Sequence, residues 1–173
     1  MASGAGYVIE KLSAEHDLSA FECGNAALNA WLKRFARTNC QNDSARVYIA
    51  HQGDQTVIGY HALTSGSIDR AEAPPRISQG LAAHPVGVIV LARLAVDITQ
   101  QGKGLGATLL QDALRRSEQA ADAIGVRAVL VHAINESARS FYVRFGFTPT
   151  VIDDLRLILL MKDLRALLKT HRH

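Results

Sequence analysis

Three glycines alternate with other residues in the segment QQGKGLGATLL, residues 100–110, where an apolar helix is predicted to begin. Glycine adopts left-handed backbone conformations and lets a backbone approach a ligand closely, so the segment is either a tight turn or an anion-binding loop. N–H groups in the first turn of a helix have no intrahelical acceptor and point toward an anion, and Lys103 adds positive charge. These residue types suit the binding of a pyrophosphate.

Two common nucleotide-binding motifs are excluded by their spacing. The dinucleotide motif G-x-G-x-x-G is absent, and the acidic residue about twenty positions further on, Asp122, falls inside a predicted helix. The P-loop pattern G-x-x-x-x-G-K-S/T is absent as well. What remains is Q-x-x-G-x-G over residues 101–106, followed after the next strand by N-x-x-x-x-x-F-Y-x-x-F-G-F over residues 135–147.

The elements around the glycine segment predict a βαβ unit. The run VGVIVLARLAVD, residues 86–97, is typical of a buried strand, and VRAVLVHA, residues 126–133, is a second one. We predict a right-handed crossover with parallel pairing of the two strands. Gly125 is expected to end the intervening helix in a left-handed conformation. The apolar face of that helix is predicted to contain Leu105, Leu109, Ala113, Leu114, Ala121 and Ile124.

The remaining elements predict a mixed α/β sheet in one domain, residues 1–173. The runs ARVYIAHQ and TVIGYHALTSGSI are separated by the turn-like pair Gly53 and Asp54, which predicts an antiparallel hairpin. Residues 69–85 contain three prolines and no sustained period, so a loop is expected there. Asn135 is a predicted N-cap, Gly146 a helix end, and LRLILLM, residues 155–161, a final strand.

Residues 26–40 are predicted to form an amphipathic helix. Leu28, Trp31, Leu32 and Phe35 recur at helical spacing, which places them on one apolar face. The basic residues Lys33, Arg34 and Arg37 point the other way. Two interpretations of this basic face stay open, namely a solvated surface and a surface that contacts phosphates.

Composition limits the class of protein. The 173 residues are 48% hydrophobic and 20% charged, as in a folded domain and unlike disordered or repeat chains. The longest apolar run, residues 86–96, is too short for a bilayer, and the N-terminal residues lack a signal pattern. We therefore expect a soluble, cytoplasmic protein without a membrane partner. A net charge of +3 permits an anionic partner without identifying it.

No metal or disulfide framework is predicted. Cys23 and Cys40 form no C-x-x-C pair, and reduced structural thiols are the expected state. The seven histidines are scattered, with a close pair only at His171 and His173.

The strand, the Q-x-x-G-x-G loop, the helix and the N…FYxxFGF segment, residues 88–147, together resemble the GNAT superfamily of acyl-CoA-dependent N-acetyltransferases. The resemblance implies a GNAT fold, in which a mixed antiparallel and parallel sheet is flanked by helices around a βαβ core that binds acyl-CoA. It implies acetyl-CoA as cosubstrate. Position 101 is glutamine where many relatives carry arginine, which removes one charge near the phosphates but keeps a hydrogen-bond donor.

The same resemblance implies roles for individual residues. Backbone groups of Leu94, Ala95 and Val96 are expected to pair with the pantetheine arm, where a bulge in the strand would splay the two parallel strands apart. Plain sheet packing is the alternative for these three residues. The residues expected to bind the pyrophosphate are Gln101, Gly102, Lys103, Gly104, Leu105 and Gly106. Asn135 is an expected cofactor contact, although an N-cap role alone also explains it.

The resemblance also implies that Tyr142 protonates the departing thiolate. A phenol with a pKa of about 10 stays protonated at neutral pH, beside a thiol with a pKa of about 8.5. Without the resemblance, Tyr142 would be assigned to an aromatic core with its phenylalanine neighbours. The sequence offers no strong base for the attacking amine, which favours an α-amine, partly neutral at cytoplasmic pH, over a lysine side chain. Glu136, His132 or a water molecule remain candidate bases.

Over nearly the whole chain, the sequence resembles a narrower branch, the acetyltransferase toxins of bacterial toxin–antitoxin modules. That resemblance implies acetylation of the α-amine of the amino acid on charged tRNA, a block of translation, a ribbon-helix-helix antitoxin and a homodimer. Two alternatives remain, an acetyltransferase of protein N-termini or small amines and a non-catalytic acyl-CoA or nucleotide sensor. The candidate tRNA-binding residues are Lys33, Arg34, Arg37, Arg46 and Arg93.

Overall fold

A computed structural model describes residues 2–3, 6–73 and 85–170 of the chain. In chain order the elements are β1 (Ala2–Ser3), β2 (Tyr7–Lys11), α1 (Ala26–Arg34), α2 (Ala36–Gln41), β3 (Arg46–His51), β4 (Gly59–Ile68), β5 (Val86–Val96), α3 (Leu105–Ala123), β6 (Ala128–His132), α4 (Glu136–Arg144), β7 (Thr148–Pro149), β8 (Arg156–Leu160) and α5 (Met161–Thr170). The chain divides into two compact units, residues 1–64 with 92–113 and residues 65–91 with 114–173.

In the first unit the strand order is β1-β2-β3-β4-β5. Strands β3 and β4 pair antiparallel from Arg46↔Leu63 to Ala50↔Gly59, which confirms the predicted hairpin. Because Leu32 of α1 is fully buried with Phe21 and Tyr60, the helix packs its apolar face into a core that excludes water.

The second unit contains the parallel pair and has the strand order β4-β5-β6-β8-β7. Strands β5 and β6 pair parallel from Val88↔Ala128 to Leu91↔Val131, as the βαβ prediction requires. Strand β8 pairs antiparallel with β6, so the sheet is mixed. Gly66 allows β4 and β5 to approach, because a Cβ there would lie 2.7 Å from Val90 Cγ2. Helices flank these strands, and the predicted fold class is confirmed.

The single helix expected over residues 26–40 is wrong in one respect. Phe35, with φ −120° and ψ −21°, separates α1 from α2. The helical period restarts there, so Ala36 is buried and the Phe35 side chain is 52% exposed. Phe35 therefore does not belong to the apolar face.

The expected end of α3 is also wrong. The helix ends at Ala123, so Ile124 lies beyond the helical face and is 70% exposed. Gly125 does not adopt a positive φ, whereas Gly146 does at +98° and ends α4 as predicted. Most of the loop expected over residues 69–85, namely residues 74–84, lies outside the described residues. Within the described part of the chain, the helices lack the combined length and apolar character that a bilayer span requires.

Candidate functional site

The glycine segment forms an exposed loop in front of α3. Gly102 and Gly104 have φ of +79° and +88°, a left-handed conformation that a side chain would strain. A Cβ atom at either position would have no heavy atom of the described residues within 4 Å, so the space above the loop is open. Leu105, the first residue of α3, is fully buried and so anchors the start of the helix beneath the loop. The loop thus combines a rigid base with room for a ligand.

The start of α3 directs backbone donors toward this space. The first intrahelical bond runs from the Thr108 N–H to the Gly104 carbonyl at 3.1 Å, and the Thr108 hydroxyl donates to the same carbonyl at 3.1 Å. The N–H groups of Leu105 and Gly106 precede that bond and face out of the helix end. Lys103 is exposed beside them. This geometry leaves room for an anion at the helix start, and binding of a pyrophosphate there stays a prediction.

Gln101 makes contacts that sequence reasoning did not predict. Its side-chain Nε2 donates to the carbonyl of Val96 at 2.9 Å and to that of Cys23 at 3.0 Å. The amide therefore ties the loop to the end of β5 and to the segment before α1. Binding of a phosphate by Gln101 stays a prediction.

Leu94, Ala95 and Val96 occupy the last part of β5. Ala95 is buried, while Leu94 and Val96 are half-buried and pack against a core that includes Leu105 and Leu109 of α3. The register of β5 with β6 ends at Leu91↔Val131, and β5 continues to Val96. Backbone pairing of these three residues with pantetheine stays a prediction, as does the expected bulge.

Asn135 is the N-cap of α4. Its Oδ1 accepts the N–H of Ala138 at 2.9 Å, which satisfies one of the free donors at the helix start. The predicted cap is confirmed, and a cofactor contact of the side-chain amide stays a prediction.

Tyr142 lies on α4 with its side chain buried at 6% exposure. Its ring packs edge to face on Phe147, with 5.6 Å between the centroids, and on Phe141, at 5.2 Å. Burial raises the pKa of Tyr142 above its ordinary value, so the phenol is protonated at neutral pH. A general acid needs that state.

The two candidate bases are exposed side chains near opposite charges. His132 Nε2 lies 3.9 Å from Asp153 Oδ2, and Glu136 Oε1 lies 3.6 Å from Arg139 Nη1. A role for either residue as the base stays a prediction.

The five basic candidates for tRNA binding divide into two groups. Lys33 and Arg34 are exposed at the C-terminal end of α1. Arg37, Arg46 and Arg93 already have partners. Arg37 Nη2 donates to the His16 carbonyl at 2.6 Å, and Arg46 Nη2 lies 2.7 Å from Asp43 Oδ1. The guanidinium of Arg93 lies over an aromatic ring of α1.

Sequence reasoning missed a cluster formed by Glu10, His16 and His51. Both histidine Nε2 atoms lie 2.8 Å from Glu10 Oε1. Each Nδ1 accepts a backbone N–H at 2.9 Å, from Ser13 for His16 and from Gly53 for His51. An Nδ1 acceptor requires a protonated Nε2, so both Nε2–H groups donate to the carboxylate. The three side chains are close enough to hold a metal ion, but this pattern satisfies them without one.

The structure also identifies Asp97 as a buried carboxylate directly after β5, at 7% exposure. Its two oxygens accept three hydrogen bonds, one from Glu22 N–H and two from Thr99.

Cys23 and Cys40 are free thiols, and burial raises the pKa of the Cys23 thiol, which disfavours the reactive thiolate.

The arrangement of strand, open glycine loop and helix start is that of an acyl-CoA-binding enzyme, and the comparisons with known proteins agree. The model of the acetyltransferase (GNAT) domain matches residues 43–149. The chain therefore belongs to the GNAT acetyltransferase family and is an N-acetyltransferase.

Individual relatives cover nearly the whole chain. A tRNA-acetylating toxin of Mycobacterium tuberculosis is 45% identical over 158 residues, which are 91% of this chain and 94% of that protein. AtaT complexed with acetyl-methionyl-tRNAfMet superposes with a TM-score of 0.88 at 32% identity, covering 94% of this chain and 99% of that chain. A tyrosine-to-phenylalanine variant of the AtaT toxin, bound to the C-terminus of the antitoxin AtaR and acetyl-CoA, has a TM-score of 0.82 at 31% identity, covering 94% and 98%.

Proposed function

We propose that this protein is a toxin that uses acetyl-CoA to acetylate the α-amino group of the amino acid on charged tRNA, and so blocks translation. The observation that supports charged tRNA as the acceptor is the similarity, along nearly the whole chain, to the mycobacterial tRNA-acetylating toxin. The structure of AtaT with acetyl-methionyl-tRNAfMet supports the same acceptor class. Acetyl-CoA is bound in the structure of the AtaT variant, which supports acetyl-CoA as the donor.

The glycine loop is proposed to bind the pyrophosphate of the donor. The groups that bind it are the outward N–H groups at the start of α3 and the Lys103 side chain. Gly102 and Gly104 have positive φ and no side chain, so the ligand can approach the backbone of the loop closely. The backbone of residues 94–96 holds the pantetheine arm, and the amide of Asn135 adds a further contact. All of these groups are neutral or cationic, as an anionic ligand requires.

Tyr142 is proposed to act as the general acid. The amine nitrogen of the acceptor forms a bond to the thioester carbonyl carbon, the carbon–sulfur bond breaks, and the Tyr142 hydroxyl gives its proton to the thiolate. An α-amine with a pKa near 8 is partly neutral at pH 7, so the neutral amine can attack without a dedicated base. After attack the amine nitrogen loses its proton to water, and the Tyr142 phenolate takes a proton back from water, which restores the general acid. Burial keeps Tyr142 protonated for this step.

The basic side chains of the first unit are proposed to contact tRNA phosphates. Lys33 and Arg34 are free to do so on the surface, and Arg93 is held in place by an aromatic ring. Arg37 and Arg46 would have to exchange their present acceptors for phosphate oxygens. We also propose a homodimer and an antitoxin of the ribbon-helix-helix type as partner, in a cytoplasmic setting.

One experiment tests the proposal. Labelled acetyl-CoA is offered with charged tRNA, deacylated tRNA, peptides or free amino acids, using the wild-type chain and Tyr142→Phe. Label on charged tRNA alone, lost in Tyr142→Phe, is the expected result. Label only on peptides or free amines would assign the protein to another branch of acetyltransferases. Tight acetyl-CoA binding without any transfer would indicate a sensor.

A further inference from the structure

The Asp97 carboxylate is bonded at both oxygens. Oδ2 accepts the Glu22 N–H at 3.0 Å, and Oδ1 accepts the Thr99 N–H at 2.9 Å and the Thr99 hydroxyl at 2.7 Å. Burial alone would raise the pKa of Asp97, but the hydrogen bonds from Glu22 and Thr99 outweigh it and hold the pKa below its usual range. A buried charge is retained only where hydrogen bonds compensate for the lost water, and here they do.

These bonds set the path of the chain from β5 into the glycine loop. The Asp97 N–H donates to the Ile58 carbonyl at 2.8 Å, which fixes the end of the strand on the neighbouring hairpin. The Asp97 carbonyl accepts the Gln100 N–H at 2.9 Å, closing a turn over residues 97–100. Asp97 thus fixes the position from which the chain enters the loop at Gln101 and Gly102.

The same residue joins the loop to the segment that leads into α1. Besides the bond from Glu22 N–H to Asp97, the Ile98 N–H donates to the Glu22 carbonyl at 2.8 Å. Gln101 Nε2 donates to the Cys23 carbonyl at 3.0 Å. The Cys23 N–H in turn donates to Asn29 Oδ1 of α1 at 2.9 Å. A continuous set of hydrogen bonds therefore runs from the loop, through residues 22–23, to the helix with the exposed basic residues.

We propose that Asp97 is a positioning residue, which pre-organises the glycine loop for the acyl donor and fixes it to the start of α1. The inference rests on the proposed donor role of the loop. An ordered loop binds its ligand without a further loss of conformational freedom, so Asp97 contributes to affinity for acetyl-CoA. Asp97 does not touch the reacting atoms in this role, and the chemical step itself is independent of it.

The substitution Asp97→Asn tests the proposal, because an amide accepts at only one of its two ends. Asp17→Asn is the matched control. Asp17 Oδ1 accepts the Ser19 N–H at 2.9 Å and the Ser19 hydroxyl at 2.6 Å, the same local turn at an exposed position outside the loop sequence. We expect Asp97→Asn to raise the Kd for acetyl-CoA and its KM about tenfold with kcat within about threefold, while Asp17→Asn stays within about twofold.

A second pair of variants decides the matter if Asp97→Asn does not fold. Thr99 is exposed, so Thr99→Val removes one donor to Asp97 at little risk to the core, and Thr99→Ser keeps that donor. We expect Thr99→Val to raise the Kd about threefold and Thr99→Ser to match the wild type. Wild-type affinity in folded Asp97→Asn, equal effects of Asp17→Asn, or equal effects of the two Thr99 variants would overturn the inference.

Calorimetric measurement of acetyl-CoA binding without an acceptor separates this inference from the proposed acceptor. If the wild type binds acetyl-CoA but leaves charged tRNA unlabelled, only the acceptor is wrong, and the affinities of the Asp97 variants still decide whether Asp97 positions the loop. If the wild type does not bind acetyl-CoA, the donor role of the loop and the role of Asp97 fail together.

Discussion

The guanidinium carbon of Arg93 lies 4.2 Å from the centroid of the Trp31 indole, in cation–π contact. The Trp31 ring is itself stacked with Tyr60, at 6.0 Å between centroids and 13° between planes. Arg93 immediately precedes Leu94, the first residue of the segment proposed to hold pantetheine. A guanidinium stacked on a ring keeps its N–H edge available, so this contact leaves Arg93 able to make the proposed bond to a tRNA phosphate oxygen.

We expect Arg93→Gln to weaken the binding of charged tRNA and to reduce the slope of log Kd against log salt concentration by about 0.7 to 1, because one phosphate contact is lost. Trp31→Leu should weaken binding less, since the charge remains but loses its support. Lys11→Gln, an exposed residue outside the candidate set, is the control. Filter binding at several salt concentrations measures all three, and an unchanged salt slope for Arg93→Gln would remove Arg93 from the interface.

The glycine loop makes a second prediction. Alanine at Gly104, φ +88°, or at Gly53 in the β3–β4 turn, φ +100°, strains the backbone by about 1 kcal/mol in either place. Both variants should unfold at slightly lower urea concentration. Only Gly104→Ala should raise the Kd for acetyl-CoA, by about tenfold, because only that strain moves the N–H groups at the start of α3. Equal affinity in the two variants would mean that the loop is merely a turn.

Local patterns sufficed for the part of the fold that surrounds the loop. A βαβ unit is predicted from local patterns alone, without knowledge of contacts between residues distant in sequence. These patterns are the apolar runs of β5 and β6 and the helical spacing of Leu105, Leu109 and Ala113. Helix α5 was not predicted, because Met161 follows the last residue of β8 with no glycine, proline or capping residue to mark the change of period.

The contacts that sequence reasoning missed depend on long-range pairing, which no local pattern contains. Asp97 acquires its role from Glu22, 75 positions earlier in the chain. His51 meets Glu10 because β2 pairs with β3, in a register that places Val8 opposite His51. In the sequence these residues are single polar positions in or near strands, and no local pattern distinguishes them from surface residues.

Asn135 allows its two possible roles to be separated. Asn135→Ala loses the bond to the Ala138 N–H and should reduce the free energy of unfolding by about 1 kcal/mol, whereas Asn135→Ser keeps a capping oxygen and should be close to the wild type. Both variants lack the side-chain amide donors, so both should bind acetyl-CoA more weakly if the amide contacts the donor. Urea unfolding and calorimetry distinguish the roles, and wild-type affinity in Asn135→Ser would leave Asn135 as a cap alone.

The Glu10 cluster gives a prediction for acid stability. Hydrogen bonds from His16 and His51 hold the pKa of Glu10 below its ordinary value. A carboxylate with a lowered folded-state pKa stabilises the fold above its unfolded pKa of about 4.3, and this contribution is lost as the pH falls through the folded pKa. The stability difference between the wild type and Glu10→Gln should therefore shrink as the pH drops from about 5 to about 3. Urea unfolding at each pH measures it, and a constant difference would contradict the assigned hydrogen bonds.

Two buried tyrosines with raised pKa values differ in what their hydroxyl groups do. The Tyr60 hydroxyl donates to the Leu28 carbonyl at 2.9 Å and so joins β4 to α1. Tyr60→Phe should therefore reduce the free energy of unfolding by about 1 kcal/mol and change kcat little. Tyr142→Phe keeps the ring contacts with Phe147 and Phe141, so its stability and its Kd for acetyl-CoA should stay near those of the wild type.

The kcat of Tyr142→Phe, by contrast, should fall by a factor of about 10² to 10⁴, the usual contribution of a positioned general acid. The fall should persist across the pH range in which the α-amine is neutral, because it reflects the missing proton donor and not the state of the acceptor. Thermal unfolding, calorimetry and steady-state kinetics on the two variants provide the comparison. If Tyr142→Phe loses stability and retains kcat, Tyr142 is a core residue like Tyr60, and the thiolate takes its proton from water.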